Sequence, residues 1–140
     1  MIDVLSGIQS TSAALNAERT RLDVISENIA NAQTTRGPDG KPYQRQVVVF
    51  ETALQQAIDG GGKVPVLKAA HIQADNRPPQ MIYAPGHPDA DANGMVALPN
   101  INIHEEMADL ISASRAFEAN LAVLKNAHNM ALETLAIGKK

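Results

Sequence analysis

Hydrophobic positions recur with a helical period at both ends of the chain and lose it in between. From Ile103 the pattern steps by four and three through Met107, Leu110, Ser114, Phe117, Leu121, Leu124, His128, Ala131 and Leu135. Eight of these ten are apolar, which is the a/d seam of a heptad repeat. Asn102, with Glu105 three residues on, predicts a capping box at the start of this helix. Gly138 followed by Lys139 and Lys140 predicts a stop whose charges suit the helix dipole. A helix over 103–137 is on the order of 50 Å long, too long for a compact globule of this size.

The amino-terminal end repeats the idea more weakly. Ile8, Leu15, Leu22 and Ile29 fall seven apart, with Val4 and Ile25 at the companion position, while Thr11 and Glu18 break that second row. Proline and glycine mark where the helices stop. Segments 1–36 and 100–140 contain no proline and one glycine each, whereas all 8 prolines of the chain lie between Pro38 and Pro99. Helices avoid both residues. The expected fold is therefore mainly α: a terminal helical domain made of 1–36 and 100–140, and a small strand- and turn-rich middle, 37–99. Because the chain leaves along one arm and returns along the other, the arms are expected to pair as an antiparallel coiled coil. Each buried Leu or Ile contributes about 1.5–3 kcal/mol, against about 1–2 kcal/mol per residue of ordering entropy. Two helices with so few anchors call for more helices from neighbouring copies.

In the middle, Tyr43–Phe50 is the best strand, alternating in its first half and carrying three valines. Met81–Tyr83 and Met95–Leu98 are weaker strands, and Gly60-Gly61-Gly62 reads as a flexible tip.

Composition narrows the function. The formal net charge of −3 gives no long-range pull on polyanions, so neither nucleic acid nor a membrane is expected as a partner. The absence of cysteine excludes disulfides, thiolate metal sites and a cysteine nucleophile. Aromatic residues are only 3% of the chain, which weakens readings that need a ligand pocket or a base-stacking surface. Asp3 stands where a signal peptide would carry a base, and no apolar run is long enough to span a bilayer. The expectation is a cytosolic chain, or one exported without a cleaved signal peptide.

Candidate chemistry is sparse. Asp89-Ala90-Asp91-Ala92-Asn93-Gly94 matches the first half of an EF-hand calcium loop, but the twelfth position is Asn100 rather than Glu. Asp and Asn form the same turns without metal, so a calcium-responsive helical adaptor using Asp89, Asp91 and Asn93 is the alternative reading only. His104-Glu105-Glu106-Met107-Ala108 lacks the second histidine of a zinc-protease helix. A hydrolytic metal site at His87 and Asp89 has no further ligands or base in view. No catalytic residue, metal or cofactor is expected.

Asn28-Ile29-Ala30-Asn31-Ala32-Gln33-Thr34-Thr35 is polar where a helix should carry on. It reads either as a fraying helix end, since Asn and Thr compete for backbone hydrogen bonds, or as an interlock between helix and strand layers. Asn28-Ile29-Ala30-Asn31 with Thr34 resembles the N-I-A-N-x-x-T signature of the flagellar axial proteins of rod and hook, which often have Asn where this chain has Gln33. Two further segments resemble the basal-body rod branch of that family, Arg36–Gly40 with Pro42–Gln46 and Pro85–Asp91 with Asn93-Gly94. A third, Glu105–Met107 with Ser114–Asn120, resembles the carboxy-terminal helix that the axial proteins share. In the last of these Phe117 stands where Tyr is common.

The resemblance implies a non-enzymatic subunit of the proximal rod, the basal-body drive shaft. Its terminal helices would pack around an export channel and transmit torque. It implies partners as well: other copies, other rod subunits, basal-body ring and rod-junction proteins, and the flagellar type III export apparatus. The expected assembly interface is the two seams with the polar hinge: Ile8, Leu15, Leu22, Ile29, Asn28, Asn31, Thr34, Ile103, Met107, Leu110, Phe117, Leu121, Leu124 and Leu135.

Overall fold

The computed structural model of the chain describes the backbone of residues 2–56 and 63–137 and the side chains of 7–51 and 70–137. In order, its elements are α1 (Ile2–Ala30), β1 (Gln46–Gln56), β2 (Lys63–Ala74), β3 (Gln80–Tyr83), β4 (Met95–Leu98) and α2 (Ile103–Ile137). The fold is mainly helical with short antiparallel strands between the helices, as expected.

α1 tolerates its hydroxyl residues because Thr11, Thr20 and Ser26 each donate to the carbonyl four residues back. It stops at Ala30, six residues short of the expected arm. There the backbone tightens into i+3 bonds: Ala32 N–H donates to Ile29 O at 3.3 Å and Thr34 N–H to Asn31 O at 3.0 Å. Residues 31–36 are therefore turn and extended chain. α2 has the bounds its period predicts. Its cap is Asn102, whose Oδ1 accepts His104 N–H at 3.1 Å and whose Nδ2 donates to Glu105 Oε1 at 3.2 Å. The expected stop at Gly138 lies outside the described residues, as do the side chain of Val4 and the Gly60–Gly62 tip.

The strands need one correction. The expected Tyr43–Phe50 strand starts at Gln46 and runs on to Gln56, paired antiparallel with β2, for which no strand was expected. Arg45 O still accepts Asp75 N–H at 2.7 Å across the hairpin, but Tyr43 has left the ladder, its N–H donating to Thr34 O at 3.2 Å. β2 was hidden by Pro65, which pairs with Leu54, and by the two alanines that interrupt its alternation. The signal that could have found it was Val64 and Val66 alternating just after three glycines. β3 and β4 fall where expected and pair antiparallel, Gln80 with Leu98 and Tyr83 with Met95.

α1 and α2 pack along each other. Asn28 near the end of α1 reaches Glu106 near the start of α2, and Arg21, two turns earlier, lies 3.8 Å from Asp109. Among the described residues the buried apolar set is small: Ala17, Val24, Ile25, Ala32, Val96 and Ala113. The chain exposes 10052 Å², where a compact monomer of 14.9 kDa is expected to expose roughly 7,000 Å². The excess is surface that a self-sufficient globule would have buried. Among the described residues no helix is long and apolar enough to cross a membrane.

Candidate assembly site

The best-built polar site lies where the two helices meet the hairpin. The side chain of Asn28 is 1% exposed and uses its amide fully. Its Nδ2 donates to Gln46 O at 2.8 Å and to Glu106 Oε2 at 3.1 Å, and its Oδ1 accepts Gln46 N–H at 2.9 Å and Tyr43 O–H at 3.1 Å. One amide thus pins the end of α1, the start of β1 and the first turn of α2.

Glu106 is equally buried and is held on its other oxygen by Arg45, whose Nε and Nη2 both lie 2.7 Å from Oε1. Arg45 Nη1 turns to Asp75 Oδ2 at 3.2 Å, and Asp75 N–H returns a bond to Arg45 O at 2.7 Å. Arg77 Nε adds a 2.8 Å bond to the same carboxylate, closing the base of the hairpin. A buried carboxylate is tolerated because a guanidinium and an amide satisfy it.

These contacts set the charge states. Burial would raise the Asp75 carboxyl, but hydrogen bonds from Arg77 and Arg45 outweigh it and hold the group below its ordinary range. Burial would lower the Arg45 guanidinium, and the bonds and charge of Glu106, then Asp75, more than compensate, so it stays protonated. Burial, followed by the negative charges of Glu27 and Glu106, pushes the Tyr43 phenol up.

A second set of bonds attaches the loop between β3 and β4. Asp89 accepts Thr35 O–H at 2.8 Å on Oδ2, and its Oδ1 lies 3.6 Å from Arg36. Asp91 Oδ1 accepts the N–H groups of Asn93 and Met95 at 2.8 and 2.9 Å. The calcium-like segment is therefore an Asx turn whose carboxylates serve the protein's own donors. Among the described residues no group of three metal-ligating side chains converges.

The expected interface residues divide into four groups. Asn28 lies inside the chain with every amide bond internal, so any part it has in assembly runs through the shape of this junction. Asn31 and Thr34 hold the turn after α1: Asn31 Nδ2 donates to Glu27 O at 2.9 Å and Thr34 Oγ1 donates to Asn31 Oδ1 at 3.1 Å. Ile8, Leu15, Leu22, Ile29, Leu110, Phe117, Leu121 and Leu124 are half-buried. Ile103, Met107 and Leu135 stand 39%, 52% and 61% exposed.

The face of α2 turned to α1 overlaps the expected seam from Leu110 on, where Leu110, Phe117, Leu121 and Leu124 are half-buried. Its fully buried members are Glu106 and Ala113, and those of α1 are Ala17, Val24 and Ile25, the last of which stands at the expected companion position. Tyr43, Arg45, Asp75 and Glu106 carry the junction and were not among the expected site residues. Period and spacing do not flag them, since Arg45 and Glu106 are 61 residues apart and Asn28 and Glu106 are 78 apart. The one signal was that Tyr43, Arg45 and Glu106 lie in segments that carried the family resemblance.

Three of the four segments that carried the family resemblance converge at this junction, and the fourth is tied to it by Thr35 and Arg36. Comparison with known proteins agrees. The family model described as "Flagella basal body rod protein" matches residues 8–38, and that of the "Flagellar basal body rod FlgEFG protein C-terminal" matches 92–137. The flagellar basal-body rod protein FlgC of Borreliella burgdorferi is 42% identical over 96% of this chain and 97% of its own length. The chain belongs to the FlgC family of flagellar basal-body rod proteins. FlgC of Salmonella typhimurium is 40% identical over 91% of this chain and 92% of its own, and FlgC of Bacillus subtilis 35% over 92% and 94%. This FlgC-family chain is a structural rod protein and not an enzyme. The two family models cover α1 from residue 8 with the turn after it, and β4 with α2.

Proposed function

We propose that this FlgC-family subunit builds the proximal part of the flagellar rod. It packs α1 and α2, continued as an antiparallel coiled coil, against the helices of other copies and of other rod subunits around an export channel, and so carries torque. The observation that supports this reading most is the apolar surface left uncovered on α2: Met107, Ile111, Val123, Met130, Leu132, Leu135 and Ile137 are each more than half exposed. At about 100° per residue they fall on two sides of one 35-residue helix, Met107, Ile111, Leu132 and Leu135 on one and Val123, Met130 and Ile137, seven apart, on the other. So many large aliphatic side chains in water are interface surface rather than scatter. The interface residues are Ile103, Met107 and Leu135 with the half-buried seams of both helices, while Asn28, Asn31 and Thr34 fix the bend between helix and hairpin. Ring and rod-junction proteins are the neighbours at the ends of such a shaft. Delivery by the flagellar type III apparatus without a cleaved signal, to the periplasm-spanning part of the basal body, completes the reading.

The test is Met107→Asp. Met107 is 52% exposed in the subunit, so the monomer should keep its stability to within about 0.5 kcal/mol. In the assembly the same change would bury an unpaired charge, and cells carrying it should export the subunit yet build no rod. Swimming at the wild-type rate would remove Met107 from any interface and with it the central support for this assembly.

A further inference from the structure

α2 carries two apolar stripes. One passes through Ile103, Met107, Leu110, Ser114 and Phe117, as its heptad period predicts. The other passes through Glu106, Leu110, Ala113 and Phe117, and it is the one turned to α1, with Glu106 and Ala113 buried. At about 100° per residue the centres of the two stripes are about 50° apart around the helix. Apolar burial alone favours the first, which would hide an isoleucine and a methionine and leave a glutamate in water. The observed setting does the reverse: Glu106 is 1% exposed while Ile103, Met107 and Ile111 are 39%, 52% and 52% exposed.

We infer that Glu106 is a positioning residue: clasped by Arg45 and Asn28, it sets the rotation of α2 about its own axis and so decides which stripe the subunit leaves for its neighbours. A hydrogen bond from Arg45 Nε and an ion-pair contact from its Nη2 to one carboxylate oxygen, with a hydrogen bond from Asn28 to the other, fix both distance and angle. A buried ion pair of this kind adds little stability over an apolar substitute, and its best-attested use is to select one register among several. Leu110 and Phe117 belong to both stripes, so they hold the helix in place without choosing its rotation. Arg45 is committed in turn by Asp75 at the base of the hairpin, which ties the rotation of α2 to the hairpin. The inference deepens the assembly reading, but it is tested on the free subunit and does not depend on a rod being built.

Because the chain has no cysteine, single-cysteine variants report accessibility cleanly. Met107→Cys and Ala113→Cys are each labelled with a maleimide, with helix content followed by circular dichroism. In the otherwise unchanged chain, position 107 should react at least tenfold faster than position 113. In a Glu106→Leu background that ratio should fall at least tenfold with helix content retained, and Glu106→Gln, whose single oxygen still accepts from Arg45 while its NH2 group meets the Asn28 donor, should restore only part of it. An unchanged ratio in a folded Glu106→Leu chain would overturn the inference and leave packing as the cause of the rotation. If Glu106→Leu loses the fold because Arg45 is stranded, Arg45→Met with Glu106→Leu leaves no charge unpaired. The same two outcomes then decide.

Discussion

Replacing Asn28 by Ala removes four hydrogen bonds at one stroke: two donated by Nδ2, to Gln46 O and Glu106 Oε2, and two accepted by Oδ1, from Gln46 N–H and Tyr43 O–H. A neutral bond contributes about 0.5–1.5 kcal/mol net and one to a charged group about 1.5–3 kcal/mol. Three neutral bonds and one charged bond sum to roughly 5 kcal/mol at the centre of those ranges. The higher helix propensity of Ala offsets about 0.6 kcal/mol. The partners at Gln46 and Tyr43 are only part-buried, so water replaces some of what is lost. The net expected loss is about 3 kcal/mol, a large share of the 5–15 kcal/mol typical of a domain, and corresponds to a melting temperature lower by roughly 10 °C. Urea and thermal unfolding followed at 222 nm would measure it. Asn31→Ala is the internal control, since its amide holds only the local turn, and it should cost about 1 kcal/mol or less. Equal effects of the two substitutions, or a gain from Asn28→Ala, would refute the pinning role and make the segment a frayed helix end.

Three further outcomes follow from the same contacts. The Asp75 carboxyl is held below its ordinary range when folded, so its contribution is complete above the unfolded pKa near 4 and is lost as pH falls through the lower folded value; thermal melts should show an acid loss below about pH 4 that Asp75→Asn blunts. The Tyr43 phenol is raised, so its contribution is complete below the ordinary tyrosine pKa near 10 and fades as pH rises past it; in Tyr83→Phe, which leaves Tyr43 as the one tyrosine, phenolate absorbance should appear later than in free tyrosine. Gly94 has φ +76°, and a Cβ there would lie 3.0 Å from Pro85 Cβ and 3.1 Å from the Tyr83 ring, so Gly94→Ala should lose about 1–2 kcal/mol from backbone strain alone; Gly86→Ala, with open space around it, should be close to neutral in the same unfolding assay.

The sequence by itself determined that both arms are helical and where α2 starts, though not where α1 stops. A helix begins where a capping residue meets the first apolar step and continues while no proline or glycine interrupts it; Asn102, Glu105 and the unbroken period to Leu135 are all local facts, and α2 has those bounds. The weaker strands at Met81–Tyr83 and Met95–Leu98 were legible for the same reason. The incompleteness of the pair was legible too, because too few anchors are spaced along the arms to offset the entropy of ordering them. β2 was not, since a proline and a run of small residues hide an alternation that backbone pairing with β1 does not require.

Tertiary structure alone decided the junction and the rotation of the helices. A heptad count ranks faces by apolar area, and on that count Met107 faces inward and Glu106 outward. The fold reverses the order because Arg45 and Asn28, from elements far away along the chain, meet the carboxylate in space. A buried charge becomes tolerable only when its partners arrive together, and which residues arrive together is a property of the assembled fold that no local pattern of side chains encodes.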